Sequence, residues 1–210
     1  MKKVFISAIF LVVLGVVLIG CQGKDDTANT KPMNFIINSP EQLAAPQAGD
    51  SVAIIETDFG TVKFKLFREL APETAKNFIE LTKTNFYDKL TFHRIINNFM
   101  IQGGDPNGNG SGGYSYKGPG TLLRDEINEK LTHIRGAVSM ANAGKNTSGS
   151  QFFIVQRAEG VEELNGGYSV FGQVYEGMDV VDAIAKVQTG AKDRPMSPVV
   201  MKKVTIEVVK

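Results

Sequence analysis

The stretch Ala53-Ile54-Ile55-Glu56-Thr57-Asp58-Phe59-Gly60-Thr61-Val62-Lys63-Phe64-Lys65-Leu66 decides the fold class. Its first half is apolar at Ala53, Ile54 and Ile55. Its second half alternates Val62, Phe64 and Leu66 with Thr61, Lys63 and Lys65. A period of two places alternate side chains on opposite faces of a strand. Asp58-Phe59-Gly60 supplies the turn, so the whole reads as a β-hairpin. Further along, Pro72 takes a favoured first-turn position, Ala75, Phe78, Ile79 and Thr82 share a helical face, and Asn85 ends that helix. Strands are expected at 90–96, 99–102, 136–141, 151–156, 169–174 and 204–209. A second helix is expected at 178–187, with Val180, Val181, Ile184 and Val187 facing inward. Many short strands with no regular strand–helix alternation argue for a mainly β barrel with helical caps, not a parallel α/β sheet. This domain is expected to span residues 51–210.

The N-terminus has a different character. Lys2 and Lys3 precede an apolar run from Val4 to Ile19, and Leu18-Ile19-Gly20-Cys21 leads straight into polar residues. Residues 1–20 read as a secretory signal peptide, since a membrane span takes about 20 apolar residues. The quartet resembles the bacterial lipobox, in which the cysteine is lipidated and becomes the new N-terminus. Cys21 is the only cysteine, so no intramolecular disulfide can form. The expected location is the cell envelope, outside the cytoplasm, with the lipid bilayer held through Cys21. Residues 21–50 are expected to form a flexible linker, with the apolar island Phe35-Ile36-Ile37 left unplaced.

The 210 residues carry a formal net charge of +1 and no basic run, which argues against nucleic acid as a partner. A monomer is the default expectation. The two histidines, His93 and His133, lie near no Gly-x-Ser-x-Gly elbow, which argues against a serine hydrolase. No His-Glu-x-x-His is present and the sole cysteine belongs to the lipobox-like quartet, so no metal site is expected, while Asp105 and Glu126 are too isolated to suggest a carboxylate pair.

Two segments carry the chemistry. Phe92-His93-Arg94-Ile95-Ile96 is followed by Phe99-Met100-Ile101-Gln102-Gly103-Gly104-Asp105. Taken singly, His93 reads as a hydrogen-bonded structural histidine, Phe99 and Met100 as core, and the glycines as a turn. Taken together, Phe99, Met100, Arg94 and Gln102 offer an apolar slot, a cation beside it and an amide within nine residues. A tertiary-amide ring with flanking backbone needs those features. Asn142 in Ser139-Met140-Ala141-Asn142-Ala143-Gly144, and Gln151-Phe152-Phe153, add amides and an aromatic ring.

These segments, with Asn146-Thr147-Ser148-Gly149-Ser150-Gln151-Phe152-Phe153-Ile154 and Val170-Phe171-Gly172-Gln173-Val174, resemble the cyclophilin signature in the family's order, over roughly residues 51–209. The resemblance implies a closed, eight-stranded antiparallel β-barrel capped by two α-helices. It implies peptidyl-prolyl cis/trans isomerisation without a cofactor, metal or nucleotide, acting on proline-containing polypeptides. Arg94 matches the arginine that stabilises the twisted amide. Phe99, Met100, Phe153 and Leu164 match the wall of the proline pocket. Gln102, Ala141, Asn142, Ala143 and Gln151 fall where the peptide backbone or the arginine is held, and Gly110 lies in the loop beside the neighbouring subsite. Two positions depart from the pattern. Glu163 precedes Leu164 where the family often has tryptophan, which argues against cyclosporin sensitivity. Tyr168 stands where a histidine is common, and it can still pack on a proline ring. The rival reading is a peptide-binding chaperone module without turnover. Retention of Arg94 favours the enzyme, because gripping a ring needs only the apolar wall.

Overall fold

A computed structural model describes residues 33–210. The expectations for residues 1–20 and Cys21 lie outside the described residues. The opening hairpin forms as read: β1 (Ser51–Thr57) pairs with β2 (Gly60–Leu66), with Ile55 opposite Val62 and Thr57 opposite Gly60. The turn is tied by its own residues. The Thr57 hydroxyl donates to the Gly60 carbonyl at 2.8 Å and accepts from the Phe59 amide at 3.0 Å. Val62, Phe64 and Leu66 are buried, while Lys63 and Lys65 stay partly exposed on the other face.

Six further strands complete one antiparallel sheet: β3 (Arg94–Ile96), β4 (Met100–Gly103), β5 (Ala137–Met140), β6 (Phe152–Val155), β7 (Val170–Glu176) and β8 (Met201–Val208). The order is β3-β4-β6-β5-β7-β2-β1-β8. Gly172 lets β7 lie close on β2, since a Cβ there would meet the Phe64 ring at 2.7 Å and the Lys65 carbonyl at 2.8 Å. The expectation of a closed barrel is corrected. The sheet is a curled half-barrel whose edge strands β3 and β8 share no ladder. Ahead of β3, only the isolated bridge Thr91–Val200 and bonds such as Phe92 N–H to the Val199 carbonyl (2.9 Å) reach across. β3 is only three residues long, which leaves little backbone to extend that single bridge into a ladder.

The helices are few. α1 (Pro40–Leu43) is a single turn, α2 (Pro72–Lys83) packs on β7 and β8, and α3 (Met178–Ala185) packs on β2, β3 and β4. Glu126, with no carboxylate partner in sequence, caps α2 from a distance. It accepts from the Glu73 and Thr74 amides at 3.1 and 2.6 Å, satisfying donors that a helix start leaves free.

Part of the stretch read as a flexible linker packs against the domain. Residues 33–50 belong to the same compact unit as the sheet and are not a loose linker. Ile36 N–H donates to the Glu129 carbonyl at 2.7 Å. Ser39 and Gln42 are fully buried. The Gln42 amide donates to the Thr132 carbonyl (2.7 Å) and to Gln173 Oε1 (3.1 Å), and its oxygen accepts from Thr132 N–H (2.9 Å). Polar composition suggested a solvated tether, but these polar groups replace water with backbone partners.

Candidate active site

The hairpin β3–β4 sets the centre of the site. Arg94 pairs with Gln102 and Ile96 with Met100, so the pleat puts the cation, the amide and the apolar residues along one local surface. A groove of about 910 Å³ opens there. Arg94, Phe99, Met100, Gln102, Gly110, Ala141, Asn142, Phe153, Leu164 and Tyr168 all line it. Two of the expected residues do not. Gln151 stands behind the wall, accepting from the Gln102 amide at 3.0 Å and donating to the Gly112 carbonyl at 2.7 Å. Ala143 is exposed, and its amide donates to Thr147 Oγ1 in a turn away from the groove.

Met100 and Phe153 form the buried floor, 2% and 5% exposed. Tyr168 meets Phe153 edge-on, with ring centres 5.8 Å apart. Asn142 is held by donating to the Gly167 carbonyl at 2.9 Å. Glu163, just before Leu164, turns to solvent and pairs with Arg157 at 3.3 Å. Arg157 in turn lies 5.8 Å over the Phe99 ring, a cation–π contact on the outer wall. Gly110 is fixed by Asp105, whose buried carboxylate accepts from the Asn107, Asn109 and Gly110 amides at 2.8, 2.9 and 2.6 Å. Burial raises the Asp105 carboxyl, but those amide donors outweigh it and hold the group below the usual range.

His93 departs from expectation, and the two histidines differ from each other. His93 is buried with both ring nitrogens lacking a partner among the described residues, so the expected structural hydrogen bond is not made. Burial pushes its imidazole down, against the pull of Asp105. His133 backs the groove floor. Its ring stacks on Phe153 with centres 5.9 Å apart. Nδ1 faces Asn165 Oδ1 at 2.9 Å and Nε2 faces Ser139 Oγ at 3.0 Å. Asn165 Oδ1 also accepts from the His133 amide, so Nδ1 carries the proton and Nε2 accepts from the serine. Burial drives this imidazole down to about 4, against the raising effect of the Asn165 bond. An unfolded histidine titrates near 6.5, so between those values the unfolded state binds more protons. Stability from His133 is therefore fully present above about pH 6.5 and is lost as pH falls toward 4, a loss of about 3 kcal/mol. Urea unfolding at pH 7 and pH 4.5 should show this slope in the wild type and a flatter one in His133→Gln. Equal slopes would remove His133 as the source.

One wall was not foreseen. Residues 190–196 line the groove beside β3, and Asp193 accepts from Arg94 Nε at 3.2 Å. Among the described residues, no group of three or more His, Cys, Asp or Glu is placed to hold a metal ion.

An apolar slot with a cation at its rim and side-chain amides along its side suits an extended peptide that presents a compact apolar ring. The comparisons agree with that class. A family model described as "Cyclophilin type peptidyl-prolyl cis-trans isomerase/CLD" matches residues 52–206, and the chain belongs to the cyclophilin family, a peptidyl-prolyl cis/trans isomerase. Peptidyl-prolyl cis-trans isomerase CYP18-1 of Arabidopsis thaliana is 45% identical over 153 residues, covering 72% of this chain and 93% of its own. A Staphylococcus epidermidis protein is 38% identical over 196 residues, covering 81% of this chain and 98% of its own. The crystal structure of a Cryptosporidium parvum cyclophilin type peptidyl-prolyl cis-trans isomerase superposes with a TM-score of 0.72 at 34% identity, covering 77% of this chain and 99% of that one. The same protein has been solved in the presence of the dipeptide Ala-Pro.

Proposed function

We propose that this chain accelerates rotation about X–Pro bonds in exported polypeptides while held at the cell envelope by a lipid on Cys21. The observation that carries the catalytic part is Arg94. Its guanidinium sits on the groove rim, and its one side-chain bond among the described residues is made through Nε. Nη1 and Nη2 are thus left for the substrate. Rotation of an X–Pro bond breaks amide resonance, and the imide nitrogen gains a lone pair as the amide twists. An N–H donor already aimed at that nitrogen stabilises the twisted state more than either planar isomer, which is how a fixed donor lowers a barrier. No bond is formed and no proton moves. Phe99, Met100, Phe153 and Leu164 take the proline ring, with Tyr168 closing one end. Gln102, seated by Gln151, and Asn142 hold the flanking peptide. The Ala-Pro dipeptide used with the Cryptosporidium relative is in keeping with such a slot.

The envelope setting rests on Lys2-Lys3, the apolar run and the Leu-Ile-Gly-Cys quartet. Newly exported chains carry X–Pro bonds in both isomers, and their exchange can limit folding. The full chain in detergent should speed exchange of a short X–Pro peptide, read by NMR. Binding without acceleration would leave a chaperone module in its place. Cells fed labelled palmitate should mark the wild type and not Cys21→Ser, and the variant should leave the membrane fraction. Equal labelling would end the anchor proposal.

A further inference from the structure

We propose that Asp193 is a positioning residue for Arg94, fixing the guanidinium so that its two terminal nitrogens face the bound amide; this rests on the isomerase reading above. Three observations converge. First, Asp193 Oδ2 takes the Arg94 Nε–H at 3.2 Å, the one side-chain hydrogen bond that Arg94 makes among the described residues. Gln102 lies opposite Arg94 in the ladder but makes no side-chain hydrogen bond to it, and its NH2 group donates to Gln151. An arginine carries several rotatable bonds, and the bond to Asp193 is the polar contact that selects among its rotamers.

Second, the backbone that presents Asp193 is strained in a consistent way. Lys192 and Asp193 both adopt left-handed conformations, with φ of 60° and 58°. Two successive non-glycine residues in that region cost free energy, and such outliers persist where the surroundings impose them. Third, the segment is braced at both ends. Thr189 bridges Pro195, Gly190 N–H donates to the Arg194 carbonyl at 2.8 Å, and Met196 N–H donates to the Gln188 carbonyl at 2.9 Å. Arg194 also donates to the Gly108 carbonyl, tying this wall to the glycine loop. A turn built to hold a carboxylate at one point, against the guanidinium of the rim, is suited to aiming that group.

A carboxylate could instead weaken Arg94 by neutralising it, and the two effects have opposite signs. The pair is well exposed, at 41% and 44%, so water already screens the charge. Orientation is the larger effect. In the full chain, Asp193→Ala should lower kcat/KM for an X–Pro peptide about threefold to tenfold, with the peptide Kd changed less than twofold. Asp193→Asn keeps an acceptor oxygen and should recover most of the rate. In an Arg94→Ala background, Asp193→Ala should change nothing further. The Arg94 Nε–H resonance should be shifted and slow to exchange in the wild type, and lose both properties in Asp193→Ala. A rate in Asp193→Ala at or above wild type overturns the proposal, as does an equal loss in the Arg94→Ala background. If the wild type fails to isomerise at all, the enzyme reading falls, and the Nε–H resonance still decides whether Asp193 fixes Arg94.

Discussion

Arg94→Ala should lower kcat/KM for X–Pro exchange about 100-fold to 1,000-fold while peptide affinity stays within about threefold. The magnitude is that of removing one preorganised donor from the position where charge develops. The split between rate and binding follows from the groove's construction. In the proposed binding mode the ring rests on Met100 and Phe153, a floor apart from Arg94, and the flanking backbone on Gln102 and Asn142, all of which line the groove. Taking away Arg94 leaves Asp193 without its partner, but a carboxylate 44% exposed is well hydrated and costs the fold little. Arg94→Lys should fall between the two, because an ammonium keeps the charge and loses the planar fork that reaches Asp193 and substrate together. NMR exchange on one peptide, with titration of the same peptide for Kd, gives both quantities. A rate within fivefold of wild type would place the catalytic donor elsewhere.

Phe78→Ala should cost about 3–5 kcal/mol of stability, the usual range for a buried phenylalanine. Phe78 is fully buried on α2 and joins the helix to the sheet through four rings. Tyr87 stacks on it at 4.7 Å, and Phe64, Phe152 and Phe171 lie at 5.3, 5.5 and 5.5 Å. Those rings come from three strands and a loop, so none can move into the vacancy without leaving other partners. Aromatic pairs add further stabilisation beyond their buried area. Urea unfolding should show the loss, and the melting temperature should fall by roughly 10 °C. A cost below about 1 kcal/mol would mean that the cluster repacks, contrary to its geometry.

How far each of these was legible in the sequence depends on range. The β1–β2 hairpin and α2 were readable because their signals are local: alternation about Gly60, and a 3.6-residue stripe after Pro72. Arg94 and Gln102 were readable as neighbours in function because a short hairpin makes them neighbours in space. Phe153, Leu164 and Tyr168 came through family resemblance, since nothing local links them to Arg94. Asp193 was missed because it lies 99 residues from Arg94, and its role depends on a left-handed turn that composition does not announce. Ser39 and Gln42 were misplaced for the converse reason. Ser, Pro, Gln and Gly spell a linker until backbone partners at Lys130 and Thr132 absorb them. Open versus closed is not a property of any one strand, so the seam between β3 and β8 had no signature to read.

The docking of residues 33–50 also has a mechanical side. A pull applied at residue 33 would meet the Asn34 and Ile36 bonds to Glu129 and then Ser39 and Gln42, before it reached the β1 strand. Gln42 grips Thr132 through both its backbone groups, and the next residue is His133, whose ring lies against Phe153 beneath the groove. Tension applied at that end would therefore be taken up one residue from His133, the ring that backs the groove floor.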